Sequence, residues 1–150
     1  RNKDAIGFFE EALQIICDDE IIFYNFARGL YNDGQYTKAD YVLKQCLEIN
    51  PEFELALMYL GNIAKANNRY DDASGYYEKL ININRKYFDA YVELAEIMAE
   101  KNVQEARELL RDCLTINPSY KPAIRTLADT YRDTDPDIAE KYDKLVETIK

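Results

Sequence analysis

Four carboxylates, Asp89, Glu93, Glu96 and Glu100, recur at steps of 4, 3 and 4 residues, the spacing that puts side chains on one face of an α-helix. A row of acids can hold a metal ion, share protons in general acid–base catalysis, or attract lysine and arginine. The first two chemistries need companions. The chain has no His, and its three Cys (Cys17, Cys46 and Cys113) lie far apart. A zinc site and a His-dependent triad therefore both lack their parts. A calcium loop needs alternating oxygen ligands around a central Gly, a pattern absent from Asp18-Asp19-Glu20 and from Asp71-Asp72. Those acids read instead as favourable charges at helix N-termini. A working carboxylate pair needs a pocket that drives two pKa values apart, and no glycine loop or nucleophile–base motif accompanies these acids. The row reads either as a solvated helix face or as a surface for a basic partner. No cofactor is indicated.

Composition narrows the partner. With 28 acidic and 19 basic residues the net charge is -9 and the pI about 4.6. Such a chain repels phosphate backbones and anionic membrane surfaces, which argues against nucleic acid and lipid and leaves a neutral or basic protein. No apolar run is long enough to cross a membrane, so membrane insertion is not expected. An odd number of scattered Cys indicates no disulfide framework and leans towards a reducing, cytoplasmic setting. Cys46 and Cys113 read as small core residues, and Cys17 falls in a turn. The chain of 150 residues is 47% apolar, enough for one domain with a real core, and only 5 Gly and 4 Pro punctuate it, which suits a mostly helical chain.

The elements that position these side chains come from an internal period. Ala5, Ala39, Ala73, Ala106 and Ala139 are separated by 34, 34, 33 and 33 residues. Seven residues after each stand Ala12, Cys46, Leu80, Cys113 and Val146. An apolar–small pair precedes each of the last four: Phe26-Ala27, Leu60-Gly61, Leu94-Ala95 and Leu127-Ala128. Three units close alike, at Ile49-Asn50-Pro51, Ile83-Asn84-Arg85 and Ile116-Asn117-Pro118. This pattern resembles the tetratricopeptide repeat family over essentially the whole chain. The second full unit carries the motif as Leu57, Leu60-Gly61, Ala64, Tyr70, Ala73, Tyr77 and Leu80, with departures at Leu80 and at Arg85, where a small residue and Pro are usual.

Each unit is expected to form two antiparallel helices, A and B. The pattern predicts helices over 4–17 (a lone B helix), 20–33, 36–49, 53–67, 70–83, 87–101, 103–116, 120–133 and 136–149. One repeat domain then covers 1–150: a truncated unit at 1–19, full units at 20–53, 54–87 and 88–120, and a cap-like unit at 121–150. No unit buries its apolar face alone, so stacking supplies the core. The small residues mark the close approach of A to B. Asp33-Gly34 and Asn67-Asn68 read as turns between A and B, Asp135-Pro136 as an N-cap followed by Pro at the first helical position, and Asn50 and Asn117 as left-handed C-caps. The expected fold is all-α, and the resemblance implies a right-handed α-solenoid with its A helices lining a concave groove. Ile6, Phe9, Leu13 and Ile16 lack a neighbour in this scheme, which predicts either a longer array or an N-terminal helix packed on another molecule. Asp143 stands where Leu43, Tyr77 and Leu110 stand in earlier units, so the last helix is expected to meet water there.

The resemblance also implies which residues face a ligand. The groove set is Tyr24, Asn25, Arg28 and Tyr31 from the first full unit, Leu55, Met58, Tyr59 and Asn62 from the second, and Asp89, Glu93, Glu96 and Glu100 from the third. Its first half is aromatic and aliphatic; Asn25 and Asn62 are placed to hydrogen-bond an extended backbone; its last helix is acidic. Chaperone-binding members of the family hold a peptide's C-terminal carboxylate with Lys, Arg and Asn. Here those slots carry Tyr24, Arg28, Tyr59, Asp89 and Glu93 in one register and Met58, Asn62, Glu93, Pro122 and Thr126 in the other, and acids there repel a carboxylate. A chaperone tail is therefore excluded. The expected function is a non-enzymatic scaffold that takes a peptide or helix with an apolar anchor and basic residues. The alternatives are a homo-oligomerisation module working through the N-terminal helix and a regulatory repeat region of a larger enzyme.

Overall fold

The computed structural model describes residues 19–150. The helix expected at 4–17, together with Cys17 and Asp18, lies outside the described residues. Within them the chain forms eight helices and no strand: α1 (Glu20–Asn32), α2 (Tyr36–Ile49), α3 (Glu54–Ala66), α4 (Tyr70–Ile83), α5 (Phe88–Ala99), α6 (Val103–Ile116), α7 (Lys121–Asp129) and α8 (Pro136–Thr148). They pair in sequence as A/B hairpins, and each B helix also packs on the A helix that follows. The architecture is the expected all-α solenoid of antiparallel helical hairpins.

The core is a chain of linked clusters. The first joins Phe23, Ala27 and Leu30 of α1 and Val42, Leu43 and Cys46 of α2 to Ala56, Leu60 and Ile63 of α3. The second repeats the arrangement one unit later with Leu57, Ala73, Tyr77, Leu80, Ala90 and Leu94. The third does so with Tyr91, Ala95, Ala106, Leu110, Cys113, Ala123 and Leu127. Each cluster spans a hairpin and the next A helix, so burial couples neighbours and no hairpin completes its core alone.

One contact explains why the middle unit carries Gly and Tyr where its neighbours carry Ala and Leu. A Cβ added to Gly61 would lie 2.4 Å from Cε1 of Tyr77, whose ring is fully buried. In the flanking units the same two positions hold Ala27 with Leu43 and Ala95 with Leu110. The large ring in the middle unit is matched by loss of the methyl group opposite, which keeps the volume between the helices filled.

The turns follow local chemistry. Gly34 (φ 75°) and Asn68 (φ 59°) take the left-handed conformation that ends α1 and α3, as Asp33-Gly34 and Asn67-Asn68 predict. Asp19 caps α1 by accepting from the Ile21 amide at 2.9 Å, and Asp135 caps α8 by accepting from the Ile138 amide at 3.2 Å. Asp71 and Asp72 occupy the first turn of α4 without capping it. They pair with Lys101 at 2.9 Å and Arg69 at 3.3 Å. The expected left-handed caps at Asn50 and Asn117 are not formed: their φ values are -129° and -131°. Their side chains do the work instead. Asn50 and Asn117 accept from the amides of Glu52 and Ser119 through Oδ1, a local turn that extended backbone allows. Asn50 also donates to Glu20 at 3.1 Å, and Asn84 donates to Glu54 at 3.0 Å. Both bonds tie the end of a B helix to the start of its own A helix.

The prediction for 120–133 is corrected. α7 stops at Asp129, and residues 130–134 form turns. The turn is held by Arg107, a buried residue of α6 whose guanidinium lies 3.7 Å from the centre of the Tyr131 ring. It donates to the Thr130 carbonyl, to Thr130 Oγ1 at 3.1 Å and to Thr134 Oγ1 at 3.2 Å. The Thr130 carbonyl, which a continuing helix would offer to Thr134, is thus occupied. The Thr134 amide turns to Tyr131 at 3.1 Å. On α8, Asp143 is half-exposed and bound by Arg132 at 2.9 and 3.2 Å, so it meets a cation as well as water.

Candidate binding surface

Tyr24, Tyr31 and Tyr59, expected in the groove, meet in one cluster. Tyr24 packs edge-on against Tyr59 (5.8 Å between ring centres), and Tyr59 against Tyr31 (4.9 Å). Two rings not foreseen extend the series: Phe53 against Tyr24 at 5.5 Å and Tyr36 against Tyr31 at 5.2 Å. The result is a five-ring ladder, Phe53–Tyr24–Tyr59–Tyr31–Tyr36, built from α1, α3, the start of α2 and the turn before α3. Edge-to-face pairs contribute about 0.5–1.5 kcal/mol each beyond their burial, so the ladder is a stiff platform. Arg28 lies over Tyr24 at 5.8 Å. Tyr24 is buried, Tyr31 and Tyr59 are half-buried, and Asn25 and Arg28 are exposed. Ile21 and Leu55 occupy the same position one repeat apart and are 55% and 39% exposed. Met58 packs into the second core cluster.

The polar members are less free than the sequence implies. Asn62 accepts from the buried Tyr77 hydroxyl at 2.8 Å, so its carbonyl oxygen is engaged inside the protein. Asp89 accepts from the Tyr120 hydroxyl, and Tyr120 also lies against Phe88 at 5.4 Å. Glu93 and Glu96 are both bound by Lys65, at 2.7 and 2.5 Å. The acidic row thus divides into Asp89 tied to Tyr120, the Glu93–Glu96 pair bridged by Lys65, and the exposed Glu100. Lys65 and Tyr120 carried a faint signal. Tyr120 follows Asp89 by 31 residues and Lys65 precedes Glu93 by 28, close to the 29-residue separation of Arg69 from Asp40. Contacts between neighbouring repeats fall at about one period.

The electrostatics are those of a structural surface. Burial pulls the Lys65 ammonium down, but its bonds to Glu93 and Glu96 outweigh that and leave it raised, so it stays charged. Burial pushes the Tyr77 and Tyr120 hydroxyls up, with a further push on Tyr120 from the bond to Asp89. Burial raises both Cys46 and Cys113 to about 11, with smaller pushes from Glu20 and Asp89 respectively. Thiols this buried and this basic are poor nucleophiles. Among the described residues no group of three or more His, Cys, Asp or Glu could hold a metal ion, and no helix is long and apolar enough to cross a membrane. An open depression of about 250 Å³ lies beside Asp89, lined by Lys86, Tyr87, Phe88, Asp89 and Tyr120.

The chain is similar to several known proteins. The chain is 28% identical over 123 residues to a UDP-N-acetylglucosamine–peptide N-acetylglucosaminyltransferase of Giardia intestinalis, covering 81% of this chain and 8% of that protein. It is 25% identical over 151 residues to the TPR repeat-containing protein YpiA of Bacillus subtilis, covering 99% of this chain and 34% of that protein. It therefore spans about a third of one relative and under a tenth of the other. Among solved structures, MamA from Desulfovibrio magneticus RS-1 superposes with a TM-score of 0.81 at 18% identity, over 98% of this chain and 84% of that one, a likeness of fold. Residues 30–97 match the tetratricopeptide repeat family itself. With a period of 33 and 34 residues running on either side of that match and paired helices continuing beyond it, the likeness to the tetratricopeptide repeat family extends past the residues matched.

Proposed function

We propose that this solenoid is a protein-interaction scaffold that takes a peptide or short helix along its A helices, the peptide's apolar anchor resting on the ring ladder and its basic residues facing α5. The observation that carries this reading is the adjacency of two unlike surfaces. The ladder, flanked by exposed Ile21 and Leu55, offers rigid aromatic area of the kind that dominates interface energetics. One helix further on stand Glu93, Glu96 and Glu100, which supply charge selection. The -9 net charge favours basic partners at long range as well.

The test is selection from a displayed random peptide library, followed by affinity measurements. Selected peptides are expected to pair an aromatic or branched apolar residue with Arg or Lys. Replacing Glu93 and Glu96 with Lys is expected to abolish their binding, and Tyr59→Ala to weaken it about tenfold or more. Selected peptides that bind these variants as tightly as the parent would overturn the proposal. A second reading, a repeat region serving a catalytic unit on the same polypeptide, has the identity to the Giardia transferase behind it. Its test is the complete reading frame around this segment.

A further inference from the structure

Lys65 sits where the two surfaces meet. It leaves α3 and reaches across to α5, bonding Glu93 Oε2 at 2.7 Å and Glu96 Oε2 at 2.5 Å. Its own helix carries Tyr59 of the ladder, and Asn62 one turn before it is held by Tyr77. The side chains of Lys65, Glu93 and Glu96 remain 28%, 32% and 47% exposed. A bridge this accessible forms and opens at little cost, because water takes over the charges. An ammonium is a compact point charge, whereas a guanidinium presents five donors in a planar fork suited to carboxylates.

We propose that the Lys65–Glu93/Glu96 bridge is an autoinhibitory contact: Lys65 occupies the seat of an arginine of the bound peptide, which must displace it. This rests on the groove reading given above. Exchange of one ammonium for another gains nothing, so lysine peptides compete poorly. An arginine gains fork-shaped bonds to the same acids and wins. The bridge thereby sets a threshold that keeps an acidic surface from gathering any stray polycation.

The probe is a fluorescent amphipathic peptide of about ten residues containing leucine and two arginines, beside versions with lysine or with neutral citrulline in place of arginine. Affinities are read by anisotropy against the parent protein and Lys65→Met, Lys65→Gln, Lys65→Arg and Glu93→Gln/Glu96→Gln variants, each checked for folding by thermal melt. Lys65→Met and Lys65→Gln are expected to bind the arginine peptide about 3- to 10-fold more tightly, the size of one or two exposed ion pairs. Lys65→Arg is expected to restore weak binding, and the citrulline peptide to ignore all Lys65 changes. The double Gln variant is expected to lose the preference for arginine. If the double Gln variant weakens arginine binding while neither neutral Lys65 variant tightens it, the bridge is only a strut: this proposal falls and the groove reading stands. If the three peptides are never distinguished by any variant, the acidic face binds nothing basic, and both fall.

Discussion

Alanine in place of Gly61 puts a methyl carbon 2.4 Å from Cε1 of Tyr77 and 2.8 Å from its Cζ. Ordinary carbon–carbon contact needs about 3.5–4.0 Å, so ring and helix must part by about 1 Å. The ring has little freedom to yield. It is fully buried, and its hydroxyl is held by Asn62 at 2.8 Å. Overpacking of this kind costs about 1–3 kcal/mol, and this contact is severe enough to reach the upper end. Against it, alanine is the better helix former by about 1 kcal/mol at a helix interior. The net expectation for Gly61→Ala is a loss of about 1–2 kcal/mol. Tyr77→Leu alone leaves a cavity and removes the bond to Asn62, a loss of about 2–4 kcal/mol. The two changes together recreate the Ala–Leu pairing that the flanking repeats use at Ala27/Leu43 and Ala95/Leu110. The double variant is therefore expected to recover at least 1.5 kcal/mol relative to the sum of the single losses, by the double-mutant convention at about that scale. Urea unfolding followed by circular dichroism and by tyrosine fluorescence measures it, with coincident transitions required before free energies are assigned. Additive losses, or a Gly61→Ala protein as stable as the parent, would refute the volume-matching argument.

Two further outcomes are expected. Asp40, bonded by Lys44 at 2.6 Å and Arg69 at 2.9 Å, has its carboxyl held below the usual 3.8 even though burial, the largest influence, pushes the other way. A depressed folded-state value means stability present above the unfolded value and lost as pH falls through the folded one. The melting-temperature advantage of the parent over Asp40→Asn should persist at neutral pH and fade below about pH 4; a gap that is unchanged at acid pH would contradict this. Arg107→Met releases the Thr130 carbonyl and discards the stack on Tyr131. It should cost about 1–3 kcal/mol while shifting the backbone resonances of 130–133 towards helical values, and resonances that stay in place would show that the turn does not depend on Arg107.

The register of the fold was written in residues that recur. Ala39, Ala73, Ala106 and Ala139 are all buried, because each stands at the same point of a hairpin, and the helix limits read from them differ from the structure by a few residues at most. α7 departs furthest: the turn that follows it is bonded by Arg107, a long side chain from another helix, which no local pattern in 120–133 announces. The Asn50 and Asn117 caps were misjudged for a related reason. Asparagine tolerates left-handed backbone but also offers a side chain that bonds local amides, and a neighbour such as Glu20, 30 residues earlier, decides between the two. Within the groove set, periodicity places Tyr24, Tyr31 and Tyr59 on A helices, but the superhelical stacking that brings them edge to face depends on side-chain volumes across three helices. Phe53 and Tyr36 were missed because the groove set is drawn from within the A helices, whereas Phe53 is the first residue of its predicted A helix and Tyr36 opens a B helix.

The acids of this chain divide by what already holds them. Several belong to contacts spaced about one repeat apart: Glu20 with Asn50, Glu54 with Asn84, Asp40 with Arg69, Asp71 with Lys101 and Asp89 with Tyr120. Exposed pairs among them contribute about 0–1 kcal/mol each, so cohesion comes from the linked apolar clusters; the bonds of Glu20 and Glu54 close single hairpins, and those of Asp40, Asp71 and Asp89 help fix the register of neighbouring repeats. A partner that took Asp40 or Asp89 would disturb that register. The Glu93–Glu96 pair differs, because its counter-ion is one half-buried lysine on the helix that also carries Tyr59. Replacing that lysine with a ligand's guanidinium leaves every apolar cluster intact. Exchange there leaves the contacts of Asp40 and Asp89 in place.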